Sequence, residues 1–281
     1  MTPPDGRSVQ TGPNLGGDSL VGFAHHLADL AGTAIMPLFR SRLDVQNKAA
    51  DADLRPFDPV TAADRAAEVT MRTAIRAQYP THGIIGEEFG VEGASASQQW
   101  VLDPIDGTRA FILGLPVWGT LIGLTDAGRP VLGMMDQPFT RERYWAAEGA
   151  AWFRGPDGIV SPLRTRACSE LAAAQLSSTH PELFAPGHEA DAFARVRRAA
   201  RACRYGGDCY AYCLLAAGHI DLVVEAGLKP YDVMALIPII EAAGGVITTW
   251  DGAPATSGGR ILAAGDPVLH RQAMALLAAS A

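Results

Sequence analysis

Apolar residues recur at helical spacing from Ser19 onward, at Leu20, Phe23, Leu27, Ala31, Ala34 and Leu38, which predicts a helix capped by Asp18 or Ser19. A second helix is expected over 62–79, with Ala67, Met71, Ala74 and Ile75 on one side and Asp64 in its first turn, where a carboxylate suits the helix dipole. Between them 43–58 is polar and irregular, and Pro56 and Pro59 bracket the run into Val60 and Thr61. The pattern then shortens. A strand over 83–87 would deliver Glu87 and Glu88 at its end, and Trp100 to Leu102 reads as a buried strand running into Asp103. Three more strands, over 117–125, 131–137 and 143–148, are separated by Asp126-Ala127-Gly128 and Pro138-Phe139-Thr140, which predicts an antiparallel meander. Residues 151–153 would add one more strand before Gly155-Pro156-Asp157-Gly158 turns the chain.

From about Ser161 strands and helices alternate. Strands are expected over 176–178, 220–225, 246–248 and 261–264, and helices over 189–202, 209–217, 232–243 (closed by Gly244-Gly245) and 267–279. The predicted fold class is α/β, with an α+β N-terminal lobe over 19–160 and a C-terminal α/β lobe over 161–281. Residues 1–18 are rich in Gly, Pro and polar side chains and lack the basic start and apolar centre of a signal peptide, so a disordered tail is expected there. There is no internal repeat.

Composition narrows the function classes. With 281 residues, 48% hydrophobic and 19% charged, the chain can bury a large core. A mean hydropathy of +0.09 and no apolar run of membrane length argue against a transmembrane span. The net charge of −7 leaves no electrostatic footprint for nucleic acid or an anionic membrane. Lys48 and Lys229 are the only lysines. The four cysteines, Cys168, Cys203, Cys209 and Cys213, have no zinc spacing, so reduced thiols in a cytoplasmic protein are expected. His25 and His26 are adjacent on a helix, point in different directions and read as packing or surface residues rather than as a joint metal site.

The chemistry gathers around Asp103-Pro104-Ile105-Asp106-Gly107-Thr108. Two carboxylates held this close repel, and a divalent cation between them keeps both ionised where water is scarce. Oxygen donors without Cys or His favour Mg²⁺ over zinc. Gly107 allows close backbone approach, and a helical turn starting there would turn its N–H groups toward an anion. The same residue types also build an ordinary strand end, turn and capped helix. Asp64, Glu87 and Asp232 are further acids at element ends, Asp232 being equally readable as a cap. The spacing of the acids does not fit a haloacid-dehalogenase phosphatase, and there is no nucleophile elbow, H-E-x-x-H pair, Walker loop or cysteine-phosphatase loop. Metal-assisted attack by water remains.

Gly86-Glu87-Glu88, Asp103 to Thr108, and Tyr231-Asp232 followed by Ala242-Ala243-Gly244-Gly245 resemble, in order, the signatures of the inositol monophosphatase family of Mg²⁺-dependent, lithium-sensitive phosphatases. The resemblance implies a layered αβαβα sandwich, a homodimer, and two or three Mg²⁺ per site. Glu87, Asp103 and the Ile105 carbonyl would bind one Mg²⁺, and Asp103, Asp106 and Asp232 a second. Thr108 and Asp64, with Glu87, would act on the attacking water, and the N–H groups of Gly107 and Thr108 would hold the phosphate.

Arg109-Ala110-Phe111, Trp118-Gly119-Thr120 and Gly206-Gly207-Asp208-Cys209-Tyr210-Ala211-Tyr212 look like the histidinol-phosphate phosphatase branch. That implies a small phosphate ester as partner, L-histidinol phosphate, with Arg109, Asp208 and Glu225 as substrate contacts. Glu225 lies seven residues before Asp232, where the family has a substrate-contacting acid. Alternatives are myo-inositol 1-phosphate, a nucleotide 3′-phosphate, or a non-catalytic relative that binds a metal or phosphate ester. In the family a lysine precedes the Val-Thr-x-x-Asp segment; Lys48 stands further off.

Overall fold

The computed structural model describes residues 19–42, 46–47 and 59–279. The 1–18 stretch, Lys48 and most of 43–58 lie outside the described residues. In chain order the elements are α1 (Leu20–Ile35), β1 (Gln46–Asn47), β2 (Pro59–Val60), α2 (Ala62–Gln78), β3 (Gly83–Gly86), β4 (Gly90–Glu92), β5 (Gln98–Asp106), α3 (Thr108–Ile112), β6 (Gly119–Asp126), β7 (Arg129–Gln137), β8 (Glu142–Ala147), β9 (Ala150–Arg154) and β10 (Val160–Pro162). There follow β11 (Gln175–Ser178), α4 (His188–Ala199), β12 (Ala202–Tyr205), α5 (Asp208–Ala216), β13 (Leu222–Leu228), α6 (Pro230–Val233), α7 (Leu236–Ala242), β14 (Val246–Thr249), β15 (Gly259–Ala264) and α8 (Pro267–Ala278).

Two sheets separate three helical layers. The larger has eight strands in the order β10-β9-β8-β7-β6-β5-β3-β4, antiparallel except where β3 runs parallel to β5. The smaller has five, ordered β12-β11-β13-β15-β14. Alternation along the strands assigns each face its layer. Trp100, Leu102, Ile122, Leu124 and Met134 pack with α1 and α2, whereas Val101, Leu121, Met135 and Tyr144 join α5 and α7 in the central core. Val223, Ile261 and Ala263 of the smaller sheet close that core from the other side, and Leu222, Val224 and Leu262 face α4 and α8. The expected αβαβα sandwich is observed.

Local interactions account for the element starts. Ser19 caps α1 by accepting the Gly22 N–H at 3.0 Å. Thr61 and Asp64 form a capping box at α2, the Asp64 carboxylate accepting the Thr61 N–H at 2.9 Å and its hydroxyl at 2.6 Å. Buried Arg143 on β8 fastens α1 to the sheet, donating to Asp136 at 2.6 Å and to Asp29 at 2.7 Å and lying 3.0 Å from His25 Nδ1.

The structure differs from the sequence expectations at several places. The strand expected to end at Leu102 runs on through both acids to Asp106, because a bulge absorbs Pro104: Asp103 pairs with Leu121 and Asp106 with Gly119, and the Pro104 carbonyl accepts the Thr120 hydroxyl at 2.8 Å. The helix expected over 232–243 is broken into α6 and α7. At the break Ala235 lies against a cross-strand glycine pair, Gly123 and Gly133, so closely that a Cβ on Gly133 would sit 1.9 Å from the Ala235 oxygen. The helix expected over 189–202 stops at Ala199, where Ala200 turns extended and feeds the edge strand β12.

Candidate active site

The bulge aims the end of β5 at the gap between the two sheets. Asp103 Oδ1 accepts the Ile105 N–H at 3.1 Å across the Pro104 turn. Gly107 then adopts φ +85° at the start of α3, and a Cβ there would lie 3.0 Å from the Asp208 side chain and 3.2 Å from Trp118 Cα, so both conformation and space demand glycine. The Thr108 hydroxyl donates to the Ile105 carbonyl at 3.1 Å and lies 3.5 Å from Asp64 Oδ1. The start of α2 and the start of α3 therefore meet at one hydroxyl.

Asp232 comes from the other half of the molecule. It closes the first turn of α6 by accepting the Lys229 N–H at 2.7 Å with Oδ2, and the seat of Ala235 on Gly133 holds that turn against the large sheet. Asp103, Asp106 and Asp232 each place an oxygen so that all three lie within 4.8 Å of one another. Glu87 joins them through Asp103, the two side chains being within hydrogen-bonding reach.

Burial, then repulsion from Glu87, Asp106 and Asp232, pushes Asp103 well above the carboxylate range, and burial with Asp232 and Asp208 does the same to Asp106. Asp232 is raised to about 7, chiefly by burial. Opposing this, the Cys209 N–H near the start of α5 donates to Asp106 Oδ2 at 2.7 Å. Among the described residues, Asp103, Asp106 and Asp232 form no ion pair with arginine or lysine. Buried like charges without a cationic side chain, presented as hard oxygens, fit a divalent metal ion. The nearby Cys209 thiol is pushed well up by burial, and as a soft donor it is a poor match for Mg²⁺.

Beside the cluster lies a cavity of about 80 Å³ lined by Asp106, Thr179, Asp208, Tyr212, Glu225 and Asp232, with Leu183 and Leu228 as apolar walls. Glu225 is buried and held: its oxygens accept the Thr179 N–H at 2.8 Å and the Tyr212 hydroxyl at 3.0 Å. Asp208 makes no hydrogen bond among the described residues, has φ +41°, and is raised to about 7 by burial and by Glu225, with Arg109 acting against them. Arg109 itself is exposed.

The structure thus brings together Asp64, Glu87, Asp103, Ile105, Asp106, Gly107, Thr108, Asp208, Glu225 and Asp232, with exposed Arg109 next to Thr108 and acting electrostatically on Asp208. Sequence reasoning missed the residues that hold them: the Cys209 amide, Thr179, Tyr212, and Glu68 with Arg72 behind Glu87. The sequence signal for Glu68 is Gly86, where a Cβ would meet its carboxylate.

Comparison with known proteins follows the same lines. The profile of the inositol monophosphatase family matches residues 18–281. The bifunctional phosphatase IMPL2, chloroplastic, of Arabidopsis thaliana is 44% identical over 270 residues, covering 92% of this chain and 74% of that protein. A histidinol-phosphatase of Mycobacterium tuberculosis is 35% identical over 227 residues, covering 80% and 87%. Among solved structures, an inositol monophosphatase from Zymomonas mobilis superposes with a TM-score of 0.79 at 42% identity, covering 91% of this chain and 96% of that one.

Proposed function

Since the chain belongs to the inositol monophosphatase family and is a phosphoric monoester hydrolase, we propose that it hydrolyses L-histidinol phosphate to L-histidinol and inorganic phosphate, with Mg²⁺ held by Glu87, Asp103, the Ile105 carbonyl, Asp106 and Asp232. The observation that carries the substrate is the pair Asp208 and Glu225 in one small cavity beside the cluster of Asp103, Asp106 and Asp232. Two acids there suit an ester that bears an amine and an imidazole, and they offer a neutral polyol no comparable gain. Likeness to a histidinol-phosphatase of Mycobacterium tuberculosis supports the same choice.

When bound, the metal supplies positive charge for the phosphate oxygens and a water acidic enough to ionise near neutral pH. The chain does the rest. The N–H groups of Gly107 and Thr108, at the start of α3, hold the phosphate. The Thr108 hydroxyl, already spanning the Ile105 carbonyl and Asp64, orients the attacking water, and Asp64 takes its proton. Burial raises the Asp64 carboxyl, which makes it a better proton acceptor, while its Thr61 bonds keep it in place. Water oxygen bonds to phosphorus, the ester P–O bond breaks, the departing oxygen takes a proton from solvent to give the alcohol, and Asp64 releases to solvent the proton it received. No covalent enzyme intermediate is required.

Likeness to the Zymomonas mobilis inositol monophosphatase favours myo-inositol 1-phosphate as the second reading. Phosphate release from L-histidinol phosphate, myo-inositol 1-phosphate and a nucleotide 3′-phosphate at millimolar Mg²⁺ separates them. The highest kcat/KM is expected on histidinol phosphate; equal or faster turnover of the inositol ester overturns that assignment. A homodimer and a cytoplasmic location belong to the same proposal, and sedimentation at twice the 29.6 kDa chain mass tests the first. No described helix is long and apolar enough to cross a membrane.

A further inference from the structure

Glu68 lies one helical turn beyond Asp64 on α2 and is fully buried, although it is charged. Its oxygens are spent on the loop after β3. Oε2 accepts the Glu88 N–H at 2.8 Å; Oε1 accepts the Phe89 N–H at 3.2 Å and the Arg72 Nε–H at 2.7 Å. Arg72 in turn donates to the Gly90 carbonyl. Room for this carboxylate exists because position 86 is glycine: a Cβ there would fall 1.9 Å from Glu68 Oε1. On the other flank, the Glu87 N–H donates to the Leu102 carbonyl at 3.2 Å. Glu87 therefore sits between two fixed points, its own N–H on β5 and the Glu88 and Phe89 N–H groups on Glu68.

From this geometry we propose that Glu68 is a positioning residue that aims Glu87 at the metal cluster. A buried Glu–Arg pair adds little stability over an apolar pair of the same volume, because desolvation offsets the attraction. What an apolar pair cannot do is accept two consecutive backbone N–H groups. The cost of burying Glu68 is matched by a fixed loop rather than by a tighter core. The inference rests on Glu87 being a metal ligand.

The test is calorimetric titration of Mg²⁺ into the metal-free full-length protein. Glu68→Gln places an amide where one acceptor is needed and is expected to weaken Mg²⁺ binding by about 10- to 100-fold, the range for losing an outer partner of a ligand. Amide exchange at Glu88 and Phe89 should speed up, and hydrolysis should recover at high Mg²⁺. Arg76→Ala is the control: Arg76 pairs with Glu92 on the same hairpin without touching Glu68, and wild-type affinity is expected. Wild-type affinity in Glu68→Gln, or equal loss in both variants, overturns the proposal. No Mg²⁺ binding by the wild type overturns instead the reading of Glu87 as a ligand, and the positioning role with it. Where Glu68→Gln fails to fold, Glu68→Asp, which keeps the charge but withdraws it from the Glu88 amide, carries the same expectation.

Discussion

The two halves of the site are held differently. On the side of the eight-stranded sheet Asp103 is clasped by the Ile105 amide and Asp64 by that of Thr61, the backbone at Glu87 is tied by its own N–H and by those of Glu88 and Phe89, and Asp106 is reached from across the gap by the Cys209 amide. Across the gap, Asp232 and Glu225 are clasped too, but Asp208 is not; it sits in a left-handed conformation with no hydrogen bond among the described residues. Groups that must meet a metal in one geometry are fixed in advance. In the proposed reading Asp208, unlike the clasped Glu225, would keep its hydrogen-bonding capacity for substrate, at the cost of a carboxyl pushed up to about 7.

The contrast can be broken most severely at its fixed end. Asp103→Asn removes the acid shared by both proposed metal positions, and kcat is expected to fall by at least about a thousandfold, or about 4 kcal/mol of barrier. Retained turnover with Mg²⁺ would end the metal mechanism. At the uncommitted end, Asp208→Asn is a mild change, since asparagine tolerates the left-handed conformation. Here kcat/KM for histidinol phosphate should drop about 10- to 100-fold, as expected for one charge-assisted hydrogen bond of about 2 kcal/mol, while turnover of myo-inositol 1-phosphate holds within about threefold. A parallel fall on both esters would make Asp208 part of the common machinery.

The smallest effect comes from outside both halves. Burial holds the His25 pKa down to about 4, helped by Arg143 and Arg154 and opposed by Asp29. Its folded value lies below the unfolded one near 6.5, so its contribution is complete above pH 6.5 and is lost as the pH falls toward 4. Relative to His25→Gln, the wild type should lose about 2 kcal/mol of unfolding free energy over that window in chemical denaturation. Activity per folded molecule at pH 7.5 should be equal in the two proteins. A parallel pH dependence would show that His25 is not the titrating group.

The parts of this picture that were legible in the sequence share one property: they are periodic or they are motifs. Helices α1 and α2, the β6–β7–β8 meander and the acids at element ends follow from spacing alone. Strands β4, β10 and β12 were invisible because they are edge strands of three or four residues with little burial, and so show no alternation. The bulge at Pro104 and the break at Ala235 depend on what lies across the sheet, which local pattern does not encode. Glu68 was hidden for the opposite reason, since a Glu and an Arg four apart on a helix look like a solvated surface pair.

The seat of Ala235 on Gly133 is backbone against backbone. A side-chain contact can relax after substitution, but this one has nothing left to trim, so the spacing of Asp232 from the Asp103–Asp106 strand end is insulated from drift in the surrounding core. The start of α5 is tied through its backbone, the Cys209 N–H holding Asp106, whereas the Asp208 side chain makes no hydrogen bond among the described residues. Under the proposed reading, a new ester would be met by exchanging side chains such as that of Asp208, while the α5 backbone and the hydrolytic centre it touches keep their dimensions.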